Sequence, residues 1–146
     1  YYSPLQYMYW YDKPSDSQDE PELKFFDDVY TTWDDTKVLQ GEVGEFITIA
    51  RRKGEEWFIG SITNNEKRVL SVSLDFLPEG KNYIAEIYTD GDKSVKTRTK
   101  VRVSTYRVSN KTKLNFCLKA SGGGAVRLVP DDGNIKSVKN YKQQRL

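Results

Sequence analysis

Histidine is absent from the 146 residues, and cysteine occurs once, as Cys117. Without histidine there is no Ser-His-Asp triad, no Cys-His pair and no imidazole metal ligand. A lone cysteine excludes an intrachain disulfide and a cysteine-rich zinc or iron–sulfur site. Any catalysis would fall to carboxylates, lysine or tyrosine. Only five prolines occur, and none interrupts a stretch with strand-like alternation. No apolar run approaches the ~20 residues that a membrane-spanning helix needs. The chain carries no initiating methionine and no basic-then-apolar leader, and reads as a mature product or a fragment.

Aromatic residues are plentiful at 13% and offset a hydrophobic fraction of 37%. A chain of this size can bury about two thirds of its surface on folding, so a real core is expected and global disorder is not. The net charge of +2 conceals two unlike ends. Residues 12–35 hold nine acidic side chains against Lys13 and Lys24, and fourteen Lys and Arg follow from Lys93 onward against Asp131 and Asp132. Such asymmetry can mark a polyanion binder. A solvated charged face is the commoner cause.

The opening YYSPLQYMYWYD reads as a short helix, with Ser3 as N-cap and Pro4 at the first helical position. Leu5, Met8 and Tyr9 fall on one face, and Tyr7, Trp10 and Tyr11 on another. A helix apolar on more than one side expects cover all round. KPSDSQDEP is loop-like. Residues 22–29 fit two helical turns, with Leu23, Phe25 and Phe26 as the apolar set. Period-2 alternation then marks strands over 45–52, 56–63, 68–76, 83–88, 95–108, 113–119 and 125–129. Turn residues separate them at 52–54, 64–65, 78–80, 90–91, 110–111 and 122–124. This pattern predicts an all-β fold, an antiparallel, Greek-key-like β-sandwich preceded by a short helical segment. The tail NIKSVKNYKQQRL is basic and is expected to be partly disordered.

No constellation of catalytic groups stands out. Asp27-Asp28, Asp34-Asp35 and Asp131-Asp132 are paired in sequence, but neighbours on a strand point to opposite faces, so solvated roles are favoured over acid–base work. Asp90-Gly91-Asp92-Lys93-Ser94 resembles the start of a calcium loop. The twelfth position holds Val101, where a bidentate glutamate is needed, and a hairpin turn fits better. Ser121-Gly122-Gly123-Gly124 lacks the Gly-Lys-Ser/Thr of a phosphate loop and fits a close backbone approach that only glycine allows. Lys96, Arg98, Lys100 and Arg102 alternate and would form one basic row on a strand. A charged outer face that deters aggregation is favoured there over polyanion binding. Trp33, Trp57, Tyr88 and Tyr106 are candidate sugar-stacking rings, with core or interface packing as the default. Asn110-Lys111-Thr112 matches a glycosylation sequon, a short pattern that often arises by chance.

Longer runs carry more information. YYSPLQ, FFDDV-TTWDDTKVLQGEVGEFITIARRKGEEWFIGSITN, SLDFLPEGKNYIAEIYTDG and KLNFCLKASGGGAVRLVP, in this order, resemble the C-terminal end of a glycoside hydrolase family 97 enzyme. The resemblance covers most of residues 1–130. It implies an α-glucosidase or α-galactosidase with an N-terminal β-sandwich, a (β/α)8 barrel and a C-terminal β-sandwich. On that reading residues 1–30 are the end of the barrel, 31–130 the C-terminal sandwich and 131–146 a basic tail. The family's catalytic carboxylates and calcium ligands lie outside the matching runs, so no catalytic or metal-binding residue is assigned to this chain, and calcium is implied for the parent enzyme alone. The resemblance to bacterial glycosidases also suggests the periplasm or secretion.

The expected function is therefore a non-catalytic accessory and oligomerisation domain of a family 97-like α-glycosidase. Its expected partner is the catalytic barrel or a second copy of this chain, as a homodimer, with no membrane and no nucleic acid. Leu5, Met8, Tyr9, Trp10, Leu23, Phe25 and Phe26 are the candidate docking residues. A carbohydrate-binding module using exposed aromatics is the first alternative, and a polyanion-binding β-domain the second.

Overall fold

A computed structural model describes residues 15, 20–135 and 137–142. Among the described residues one helix, α1 (Leu23–Asp28), precedes eight strands: β1 (Asp35–Glu42), β2 (Phe46–Lys53), β3 (Glu56–Thr63), β4 (Arg68–Ser73), β5 (Asn82–Asp90), β6 (Val101–Ser109), β7 (Lys113–Leu118) and β8 (Gly123–Pro130). All strand pairs are antiparallel. They form a lopsided sandwich, a six-stranded sheet in the order β1-β2-β3-β8-β5-β6 facing a two-stranded sheet β4-β7. The chain crosses to the small sheet twice, and β8 returns to insert between β3 and β5.

The alternation that announced these strands also decides what they bury. On β4 and β7, Leu70, Val72, Leu114, Phe116 and Leu118 point into the core, while Val69, Ser71 and Cys117 point out. From the large sheet come Ala50, Trp57, Ile59, Tyr83, Ala85, Val108, Val126 and Leu128. At one end of this core the fully buried Thr48 and Ser61 hydroxyls pair at 2.8 Å, so neither polar group is left unsatisfied.

Two devices set the register. Leu39 is a bulge on β1, between the pairs Val38↔Ile49 and Gln40↔Thr48. The extra residue lets Leu39 pack against the core and still returns Gln40 to the inner face beside Thr48. The second device is the glycine run into β8. A Cβ on Gly124 would stand 2.8 Å from the ring of Phe116, and one on Gly123 would stand 2.8 Å from the carbonyl oxygen of Ser61. The triple glycine is a close approach between sheets and between strands.

Two expectations change. Strand β1 was not foreseen. The segment expected to be a strand from residue 95 is a turn-rich loop up to Lys100, which adopts φ 58°, and β6 begins only at Val101. Residues 139–141 of the basic tail lie against β6. The Arg107 amide donates to the Lys139 carbonyl at 2.9 Å, and the Tyr141 amide donates to the Arg107 carbonyl at 3.0 Å. Tyr141 stacks edge-on against Tyr106, and its hydroxyl accepts the Asn115 amide at 3.0 Å. The tail thus covers part of the outer edge of β6.

Substituting Gly124→Ala is expected to destabilise the chain by about 1–3 kcal/mol, because Phe116 is enclosed and has little room to yield. Urea unfolding of the variant against the wild type measures this, and an unchanged midpoint would show that the sheets can part at no cost.

Candidate docking face around Phe58 and Arg127

Trp57-Phe58-Ile59 lies on a central strand, so its consecutive side chains go to opposite faces. Trp57 and Ile59 enter the sandwich core, which sends Phe58 to the outer face of the large sheet. Register then places Arg127 of β8 opposite Phe58, and Glu86 of β5 opposite Arg127. The outer face at this point holds a large ring beside a cation and a carboxylate. It needs a cover that is apolar at one place and ionic at the next.

Residues 20–34 supply that cover. With six residues, α1 is too short to be stable alone, and its order comes from docking. Phe25 meets Phe58 edge-on at 5.9 Å and Tyr88 at 5.4 Å. Beyond the helix, Tyr30 and Trp33 approach the same Phe58 at 5.8 Å and 5.4 Å, and the Arg51 guanidinium lies 5.8 Å from the Trp33 ring. Phe58 is left 4% exposed. Edge-to-face rings at these separations add about 0.5–1.5 kcal/mol per pair beyond the burial itself.

Next to the rings lies an ionic clamp. Arg127 Nε donates to Glu56 at 2.9 Å, and Nη1 sits 2.8 Å from Asp28 and 3.8 Å from Glu86. Lys24 pairs with Asp28 one helical turn away and reaches Glu86 at 3.3 Å. Burial alone would lower the Arg127 pKa, but its three carboxylates outweigh that and drive it up. The Lys24 ammonium is held above its ordinary value, chiefly by the hydrogen bond to Asp28. Burial pushes the Tyr88 phenol up. The arrangement fastens the entering chain to the sheet.

The sequence-predicted residues fall as follows. Leu5, Met8, Tyr9 and Trp10 lie outside the described residues. Leu23 and Phe25 are half-buried, with Phe25 turned onto the chain's own sheet, and Phe26 is 44% exposed and edge-on to Phe25. The four candidate stacking rings do not share a surface. Trp57 belongs to the inner core and Tyr88 lies under Phe25, each only 4% exposed. Trp33 packs on Phe58, and Tyr106 packs beneath Tyr141. The basic row is dispersed as well. Arg102 pairs with Asp92 at 3.0 Å, Arg98 lies 4.0 Å from Glu20, and Lys100 donates to the Val95 carbonyl.

The paired carboxylates go separate ways. Asp28 joins the clamp, Asp35 pairs with Lys37, and Asp131 pairs with Arg107. Among the described residues no group of three or more Cys, Asp or Glu is placed to hold a metal ion. The Asp90–Ser94 stretch opens the long loop between β5 and β6, where Asp92 accepts the Ser94 amide at 2.8 Å. Sequence reasoning did not single out Arg127, Phe58 or Glu86, because their meeting depends on β8 entering between β3 and β5.

With this architecture in view, the relatives can be placed. A family profile described as "Glycosyl-hydrolase 97 C-terminal, oligomerisation" matches residues 32–129. The chain belongs to this family of C-terminal domains of glycoside hydrolase family 97 enzymes. It is 34% identical over 118 residues to a retaining alpha-galactosidase of Bacteroides thetaiotaomicron, covering 80% of this chain and 18% of the relative. A family 97 enzyme from Pseudoalteromonas sp. strain K8, solved with acarbose, superposes with a TM-score of 0.68 at 35% identity. That match covers 74% of this chain and 18% of the other. A beta-arabinopyranosidase with a TM-score of 0.61 and 23% identity shares the fold. The chain thus spans less than a fifth of the length of these relatives.

Two outcomes are expected. Arg127→Met leaves Asp28, Glu56 and Glu86 without their shared cation and costs about 1–3 kcal/mol, whereas Phe58→Ala opens a cavity under three rings and costs about 3–5 kcal/mol. Chemical unfolding of both variants tests this ranking. The second outcome concerns acid. Asp34 is held below the ordinary aspartate value of 3.8, first by the Gly54 amide and then by Lys53, and Asp131 is lowered first by Arg107. A lowered folded pKa stabilises above 3.8 and is lost as pH falls through the folded value. Thermal melts should therefore change little from neutrality down to about pH 4 and drop below it. Asp34→Asn should blunt that drop.

Proposed function

We propose that this chain braces and oligomerises a family 97 α-glycosidase, and that the whole enzyme hydrolyses terminal α-glycosidic bonds. The observation that carries this reading is the family match across residues 32–129, whose description includes oligomerisation. The placement of the polar groups supports it, since the carboxylates of the outer face are engaged with Arg127 and Lys24. An acid and a base committed to a structural clamp are poorly placed to exchange protons with a substrate. On this reading the sandwich associates with the catalytic part and with a second copy of itself as a homodimer. The calcium implied by the family resemblance belongs to the catalytic part.

The test uses the full 146-residue chain. Sedimentation velocity is expected to show a dimer, and p-nitrophenyl α-glucoside and α-galactoside are expected to remain intact. A monomer at every concentration would refute self-association, and release of p-nitrophenol would refute the division of labour.

A further inference from the structure

The two sheets are unequal, and the mismatch falls on β6. The small layer has two strands against six, with β4 lying by β1 and β7 by β5. Among the described residues β7 pairs with β4 alone, so the side of the sandwich between β6 and β7 lacks a strand to close it. Parity sends Tyr106 inward there, two residues before the buried Val108. Tyr141 fills the opening. Its ring meets Tyr106 edge-on at 5.3 Å and its hydroxyl accepts the Asn115 amide of β7, so one side chain ties the two sheets together.

The main chain beside it behaves as an added strand. The Arg107 amide donates to the Lys139 carbonyl, the Arg107 carbonyl accepts the Tyr141 amide, and Arg107 and Asn140 form a parallel bridge. These are the edge groups that an outside strand would take. The Arg107 side chain holds the same segment further back. Its Nε pairs with Asp131, whose side chain is almost wholly enclosed, and its Nη2 donates to the Ile135 carbonyl at 3.1 Å. One residue thus grips the segment at Asp131, Ile135, Lys139 and Tyr141, all beyond the family match, which ends at residue 129.

We infer that the β6 edge, with the slot between Tyr106 and β7, is a strand-acceptor site for an extended peptide bearing an aromatic side chain, and that this chain fills it with its own residues 139–141. The segment is an intramolecular latch. It closes the side of the sandwich and denies the edge to strand addition by any other chain. The slot selects a tyrosine because it offers a ring on one wall and a backbone donor at its end, and tyrosine satisfies both. Arginine suits the anchor because its fixed fork of donors holds a carboxylate and a carbonyl at once.

Hydrogen exchange of the full chain, followed amide by amide by NMR, tests the latch. Tyr141→Phe is expected to speed exchange at Asn115 by about fivefold and to leave Arg107 unchanged. Tyr141→Ala should speed both. The Ile59 amide, in the middle of the large sheet, should stay slow in each variant. A fluorescent peptide of residues 131–142 should bind the Tyr141→Ala chain and not the wild type. Unchanged exchange at Asn115 and Arg107 in Tyr141→Ala overturns the latch. Equal acceleration at Ile59 also overturns it, because the segment would then open only with the whole sandwich. Peptide binding to both chains alike, or to neither, overturns the acceptor site.

Discussion

A β-sheet six strands wide has two faces, and here its central strand is apolar on both. Trp57, Phe58 and Ile59 are consecutive and all nearly inaccessible to water. Strand geometry forbids sending them the same way. The large sheet therefore demands two covers, and the rest of the chain is arranged to provide them. The hairpin-like pair β4-β7 closes over Trp57 and Ile59, and the segment before β1 closes over Phe58. Neither cover would hold alone, since a two-stranded sheet and a six-residue helix are both marginal in water.

The two covers are fastened differently. The inner one uses shape: Phe116 against the bare backbone of Gly124, and Leu74 and Leu77 sealing the end of the core. The outer one combines rings with charge. Phe25, Tyr30 and Trp33 surround Phe58, and Arg127 reads the position of α1 through Asp28. An arginine fork suits this job because its donors are planar and fixed, so it rewards one placement of its carboxylates over others. The ionic part adds direction to a contact whose energy comes from the rings.

Much of this fold was legible as alternation. Residues 68–73 and 113–118 show it cleanly, because each buries one parity against a well-defined neighbour. Strand β1 escaped notice because Asp35-Thr-Lys-Val-Leu-Gln-Gly-Glu has few apolar residues and a bulge at Leu39 that breaks the period. Residues 95–100 misled in the opposite sense. Lys and Arg alternate with smaller residues there, but the positive φ of Lys100 and the turns before it belong to a loop. The docking face was half visible. Phe25 could be recognised as apolar, but its target could not, since Phe58, Tyr88 and Arg127 come from strands thirty to seventy residues apart that meet only through sheet order. The family was readable from long runs of residues where single motifs carried nothing.

The clamp between α1 and Arg127 also governs geometry at larger scale. A segment nailed to a sheet by three rings and a guanidinium cannot act as a swivel. The stretch from residue 20 to 34 takes its bearing from the sandwich, much as a mast takes its angle from the deck. Whatever orientation the sandwich takes is thereby handed on to residues 20–34.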